Sequence, residues 1–192
     1  MYTDDGKRSV DKTIRSSKSA TVPAEDPVSQ CLSQRLKNIL GNIRYDGGTE
    51  LLHLVKYEVS GEFRMHKDYL TSPLSRPSPD GQAPSRLYNR VASMFVYLED
   101  DCTGGETYFP DLKGIGESAD GEKFSRTDRP GGMGLLVKPR KGNAVFWVSV
   151  HMNGTGDDRL SHASLAVKSG TKIGMNMFGL YYLDMPVTGD AI

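Results

Sequence analysis

Between Asp26 and Gly41 the apolar side chains recur at helical spacing, and Val28, Cys31, Leu32, Leu36, Ile39 and Leu40 fall on one face. Asp26 can cap this helix, Pro27 can open it and Gly41 stops it. After Gly47-Gly48 the period changes. Leu51–Val59, Val91–Leu98, Gly134–Lys138, Ala144–Val150 and Lys172–Leu183 are rich in β-branched, aromatic, Leu and Met residues, and each predicts a strand. One amphipathic helix followed by many strands makes an α+β chain, mainly β, with the helix packed on one sheet. Two irregular stretches interrupt the strands: Leu70–Tyr88, with Pro73, Pro77, Pro79 and Pro84, and Asp111–Gly132, with glycines at 114, 116, 121, 131 and 132. Loops this long in a compact domain close over a site or stay disordered. Residues 1–24 show little apolar periodicity, which predicts a flexible lead-in and leaves 25–192 as a single domain. Met94, Met175 and Met177 are expected to fill the barrel, and of the neighbours Phe146 and Trp147 one is expected in the core and the other on the outer face.

Charge narrows the partners. Lys+Arg and Asp+Glu both number 24 in 192 residues, so no one-signed field is available for tracking nucleic acid or anionic lipid. No apolar run approaches the ~18 residues of a membrane span, and the first twenty residues lack an apolar secretory core. With only Cys31 and Cys102, neither a disulfide framework nor a cysteine metal site can be built, which points to a reducing, cytoplasmic compartment. Asn153-Gly154-Thr155 reads as a turn rather than a glycosylation site.

Candidate chemistry begins at His66-Lys67-Asp68, just after an apolar strand. In extended chain residues i and i+2 point to the same side, so the imidazole and the carboxylate can converge on one metal. A third ligand has three candidates, His53, His151 and His162. His53 sits in an apolar run that suits a packed imidazole, and His151 borders a Gly-rich turn. His162 stands ten residues before Lys172, which opens a strand carrying Gly174, Asn176 and Phe178 on the same side. Two histidines and one carboxylate leave coordination positions open, the arrangement of non-haem Fe(II) oxygenases. The His-Glu-x-x-His helix usual for zinc hydrolases is absent, which favours iron. A dicarboxylate chelating that iron at one end needs a cation at the other, a role Lys172 can fill.

These residues resemble the prolyl 4-hydroxylase family of Fe(II)/2-oxoglutarate dioxygenases, from about Arg15 to Tyr182. The stretch from Leu54 to Tyr69 is similar to that family's "Y…G…Y..H.DY" segment. Arg90-Val91-Ala92, Met94–Leu98 and Gly104-Gly105-Glu106-Thr107-Tyr108-Phe109-Pro110 resemble "RV…YL…GGET.FP", and Val137–Trp147 resembles "V.P.KG.A..F". His162, Lys172 and Asn176 complete the likeness. The resemblance implies a double-stranded β-helix of jelly-roll or cupin type. It implies that His66, Asp68 and His162 hold Fe(II), that Lys172 binds the distal carboxylate of 2-oxoglutarate, and that Tyr57 and Thr107 assist. It places Arg90 at the substrate side as a catalytic residue. O₂ as co-substrate, ascorbate as reductant and hydroxylation of a peptide or free amino-acid side chain, proline foremost, follow from it.

Two rival readings remain at this level. An oxidative nucleic-acid demethylase is disfavoured by zero net charge and by a lysine where that branch tends to use arginine. A catalytically silent metal- or partner-binding barrel is disfavoured because all three ligands and the lysine are present. The chain also departs from the family. Phe63 stands where a tyrosine is usual, Leu165-Ala166 replaces Cys-Pro, Ile173 replaces a tryptophan, and the sequence starts close to the segment matching Arg15, ahead of which family members usually carry a strand and a helix that is here expected to be truncated, dispensable or supplied by another subunit.

Overall fold

Helix α1 (Pro27–Leu40) forms as its caps predict: the Asp26 side chain accepts from the Val28 amide, and the Gly41 amide donates to Lys37. Its buried stripe is narrower than the apolar pattern suggests. Ser29, Leu36 and Leu40 are buried while Val28 and Ile39 are exposed, because only the residues aligned with Leu36 reach the sheet.

The computed structural model describes residues 15–41, 43, 48–77, 84–116, 120–127 and 130–188. In chain order its strands are β1 (Lys18–Val22), β2 (Gly48–Thr49), β3 (Leu52–Tyr57), β4 (Phe63–His66), β5 (Leu74–Arg76), β6 (Arg86–Glu99), β7 (Cys102–Gly104), β8 (Thr107–Lys113), β9 (Phe124–Ser125), β10 (Met133–Val137), β11 (Ala144–Val148), β12 (His162–Ser164), β13 (Val167–Gly170) and β14 (Lys172–Tyr182). The larger sheet runs β1-β3-β14-β6-β11, with β2 on β14 and β5 on β6; the smaller runs β4-β12-β8-β10-β9, and β13 pairs β7 separately. Every pairing is antiparallel.

Two apolar layers result. Val55, Tyr57, Phe95, Tyr97 and Trp147 of the larger sheet meet Phe109 and Val137 of the smaller one, which is the facing-sheet core of the expected jelly roll. On the other side of the larger sheet, Leu36 and Leu40 of α1 pack with Leu52, Met175 and Met177. The methionines therefore fill the layer under the helix, with Met94 packed against it, and not the barrel interior. The reason is the two-residue period of β14, which turns Lys172, Gly174 and Asn176 inward and Met175 and Met177 outward. Trp147 is in the inter-sheet core and Phe146 packs on the helix layer, so the pair divides as alternation requires.

Three sequence boundaries shift. Lys18–Val22, within the 1–24 expected as a lead-in, pairs with β3 as an edge strand; residues 1–14 lie outside the described residues. Its side chains are mostly exposed, so no apolar alternation marks it. β6 begins at Arg86 rather than Val91, and β5 pairs with that extension inside the expected loop 70–88. β8 runs on to Lys113 and β9 pairs β10, so the stretch 111–132 also contains strand.

Candidate metal centre

His66 and His162 are cross-strand partners on β4 and β12, and Asp68 follows two residues after His66 where β4 ends. The Asp68 carboxylate lies between the imidazoles, with Oδ1 3.9 Å from His66 Nε2 and Oδ2 3.7 Å from His162 Nε2. One ligand atom from each residue lies within 4.8 Å of the other two. Both Nδ1 atoms face backbone carbonyls, His66 that of Arg64 at 2.8 Å and His162 that of Leu160 at 2.9 Å. A carbonyl only accepts, so each Nδ1 carries the proton and each Nε2 presents its lone pair to the shared space.

Aromatic rings wall this space. Phe63 stacks on His66 at 3.6 Å between centroids, and Phe109 and Trp147 flank His162 at 5.3 and 4.9 Å. Burial and the adjacent His162 push the pKa of His66 down to about 4, so its ring is neutral at physiological pH. Burial alone would raise Asp68, but His162, His66 and Arg90 outweigh it and hold the carboxyl below its usual range. A carboxylate between two imidazoles whose Nε2 atoms face it is a donor set that fits a divalent transition metal with positions left open. His53 is buried 3.7 Å from Glu50 and beside the Phe178 ring, and His151 is half-exposed near Asp157; neither joins the cluster.

Lys172 is fully buried. Its Nζ donates to the Gly105 carbonyl at 2.6 Å and Ser164 Oγ at 2.8 Å, and lies 5.0–5.7 Å from the ring centroids of Tyr57, Phe95 and Tyr97. No described carboxylate forms an ion pair with it, and burial lowers its pKa to about 7. Two glycines make the room: a side chain at Gly174 would strike the Phe95 ring, and Gly105, at φ +72°, lies against the Lys172 stem and Val167. Tyr57 is the register partner of Lys172, and Thr107 is buried with Oγ1 2.7 Å from the Tyr97 hydroxyl. A buried ammonium without a carboxylate among donor groups fits an incoming anion.

Arg90 lies on the other side of Asp68. Its guanidinium forks onto Glu50 at 2.7 and 2.9 Å, donates to the Asp68 carbonyl at 3.2 Å and covers the Phe178 ring at 3.7 Å. Sequence reasoning missed Glu50, a polar residue before an apolar strand with nothing local to mark its partner 40 positions away. It also missed Ser164, which holds Lys172, and Ser93, which bonds Asp68. Burial would raise Glu50, but hydrogen bonds from His53 and Arg90 win and take it to about 2. Glu50→Gln leaves Arg90 buried opposite a neutral amide, and is expected to cost about 3–5 kcal/mol of folding stability in urea denaturation at pH 7. Because the folded pKa is the lower one, the contribution of Glu50 is present above pH ~4.5 and fades as pH falls toward 2.

The sequence profile of the 2OG-Fe(II) oxygenase superfamily matches residues 52–179, so this chain belongs to that superfamily. Prolyl 4-hydroxylase 1 of Arabidopsis thaliana is 34% identical over 146 residues, 76% of this chain and 45% of that protein. Prolyl 4-hydroxylase subunit alpha-1 of Rattus norvegicus is 31% identical over 160 residues, 82% of this chain and 25% of that one. The chain thus spans less than half the length of these relatives. Among solved structures, the viral collagen prolyl hydroxylase of Paramecium Bursaria Chlorella virus-1, a 2OG complex, aligns with a TM-score of 0.59 at 24% identity, over 86% of this chain and 78% of that one. That likeness establishes the jelly-roll fold. No helix among the described residues is long and apolar enough to cross a membrane.

Proposed function

We propose that the chain is a 2-oxoglutarate-dependent dioxygenase hydroxylating an amino-acid side chain in a peptide or free amino acid, with proline as the first candidate. The observation that carries this reading is a fully buried lysine without a carboxylate partner in the same barrel as a His-Asp-His cluster. In this reading His66, Asp68 and His162 hold Fe(II), Lys172 takes the distal carboxylate of 2-oxoglutarate, and Tyr57 and Thr107 line its pocket. When bound, iron and 2-oxoglutarate supply the oxidising chemistry, in which O₂ converts 2-oxoglutarate to succinate and CO₂ and one oxygen atom enters a substrate C–H bond.

The protein's part is placement. The carbonyls of Arg64 and Leu160 fix both imidazoles, while Phe63, Phe109 and Trp147 exclude water from their flanks. Arg90, held by Glu50, pins the Asp68 backbone from the substrate side, where its motif places it. The curated relatives carry the name prolyl 4-hydroxylase, which supports proline as the target. The thiols of Cys31 and Cys102 support a reducing compartment, and ascorbate serves as the reductant that keeps the iron ferrous.

Incubation with Fe²⁺, ascorbate, 2-oxoglutarate and a panel of proline-containing peptides and free amino acids tests the reading. Succinate and a product heavier by one oxygen are expected, both abolished by His66→Ala; no turnover on any member of the panel counts against it. Lys172 adds a thermodynamic signature. At pH 8 the free protein holds it largely neutral, and a bound dicarboxylate restores the ammonium, so binding takes up a proton. Calorimetry in buffers of different ionisation enthalpy measures this uptake. Because the folded pKa lies below the unfolded one, the ligand-free protein also gains stability as pH rises from about 7 toward 10.

A further inference from the structure

Among the described residues, the ring of Phe63 lies closest and flattest against an imidazole of the metal cluster. Its centroid is 3.6 Å from that of His66 with 15° between the planes, whereas Phe109 and Trp147 stand 5.3 and 4.9 Å from His162 at 34° and 69°. A separation of 3.6 Å is the ordinary contact distance of two carbon atoms, so the rings overlap with little offset. The backbone holds this pose from both sides: Phe63 pairs with Ser164 of β12 and forms an antiparallel bridge with Arg15, whose guanidinium lies 5.3 Å from the ring centroid. His66 turns Nδ1 to the Arg64 carbonyl, which leaves Nε2 as its ligand atom. An imidazole binds a metal in its own plane, along the Nε2 lone pair, so a ring laid over that imidazole flanks the metal as well. A phenyl ring brings no donor, acceptor or charge to this flank; what it brings is a set of oxidisable C–H bonds.

We propose that Phe63 is an internal substrate of the site, hydroxylated on its ring when 2-oxoglutarate turns over without an external substrate. The inference rests on the dioxygenase reading given above, which supplies both O₂ and the 2-oxo acid. One ring C–H bond breaks and one C–O bond forms. One atom of O₂ enters the ring and the other enters succinate, while the C1 carboxylate of 2-oxoglutarate leaves as CO₂. The ring carbon and the 2-oxo acid each give up two electrons to O₂, and the displaced hydrogen ends as the phenol proton. Reaction at the para carbon makes a tyrosine. Because the phenyl covers one face of His66, it takes the oxygen that would otherwise reach the imidazole from that face.

The test incubates the full chain with Fe²⁺, 2-oxoglutarate and O₂ but no substrate, and maps the product by tryptic digestion and tandem mass spectrometry. Trypsin cuts after Lys56 and Arg64, so one peptide, Tyr57–Arg64, carries Phe63. It is expected to gain the mass of one oxygen atom at Phe63, drawn from heavy-isotope O₂, with the para isomer co-eluting with the same peptide of Phe63→Tyr. The gain should vanish without 2-oxoglutarate and in His162→Ala, and a substrate peptide at about ten times its dissociation constant should suppress it about tenfold. Oxidation by stray iron has a different signature, since it falls on the exposed Met65 and Met152 and needs no 2-oxoglutarate. A readout without turnover is NMR of the Mn²⁺-loaded protein under argon, in which the Phe63 ring resonances should broaden far more than those of Tyr181, which packs in the layer under the helix. No oxygen at Phe63 in a chain that forms succinate with the substrate panel, oxygen at Tyr57 or Trp147 instead, or Phe63 resonances broadened no more than those of Tyr181 overturns the inference. Absence of succinate with and without every substrate overturns instead the function on which it rests.

Discussion

Asp68→Asn is expected to reduce Fe²⁺ affinity by about a thousandfold or more and to remove 2-oxoglutarate turnover with it. Asp68 is the carboxylate of the cluster and is buried, with the imidazoles 3.7 and 3.9 Å away. A unit charge at about 4 Å in a medium of effective dielectric ~20 contributes about 4 kcal/mol, close to three decades in a dissociation constant, and a dication feels more. Asparagine keeps the shape and one acceptor oxygen, so folding should survive with a loss of stability, because the surroundings of Asp68 favour its carboxylate. Equilibrium dialysis against Fe²⁺ or Mn²⁺ under argon measures the affinity, and circular dichroism checks the fold. Retention of near-parent metal affinity would mean that the ion sits elsewhere.

Lys172→Met should separate binding from stability, because its two effects have opposite signs. Truncating one partner of a buried charge pair costs about 2–5 kcal/mol, so 2-oxoglutarate affinity should fall roughly 30- to several thousandfold while Fe²⁺ affinity without co-substrate stays within a factor of about two. The ligand-free variant should be at least as stable as the parent. It loses two hydrogen bonds, to Gly105 and Ser164, but no longer buries a group whose charge is disfavoured there, and methionine fills the same apolar stem. Urea denaturation and calorimetric titration together read both signs. A variant less stable than the parent with unaltered 2-oxoglutarate binding would make Lys172 a structural lysine.

The legible parts of the fold and the site are those written in local chemistry. Asp26, Pro27 and Gly41 announce a helix because capping acts within a turn, and the i, i+2 spacing of His66 and Asp68 announces a shared face because strand geometry fixes it. The inward line of Lys172, Gly174 and Asn176 follows from the same two-residue period. What escapes the sequence depends on partners far along the chain. The Glu50–Arg90 pair closes over 40 residues, and Arg15 reaches the Phe63 ring only because an antiparallel bridge between them folds the chain back. Exposed strands escape for another reason: β1 has one half-buried residue in five, so its pairing with β3 is carried by backbone hydrogen bonds that leave no mark on side-chain pattern. The methionines of β14 show the limit from the other side. Hydrophobicity puts Met175 and Met177 in a core, but which core depends on the register that turns Lys172 inward.

The claim beneath all of this is that one cavity joins a ferrous ion to a dicarboxylate held at its far end by Lys172. Anaerobic titration of 2-oxoglutarate into the protein, with and without Fe²⁺, tests it most directly. The account predicts tight binding in the presence of the metal, weakened by orders of magnitude when the metal is omitted or when His162 is replaced by alanine. Equal affinity with and without Fe²⁺, or no binding in either case, would contradict it.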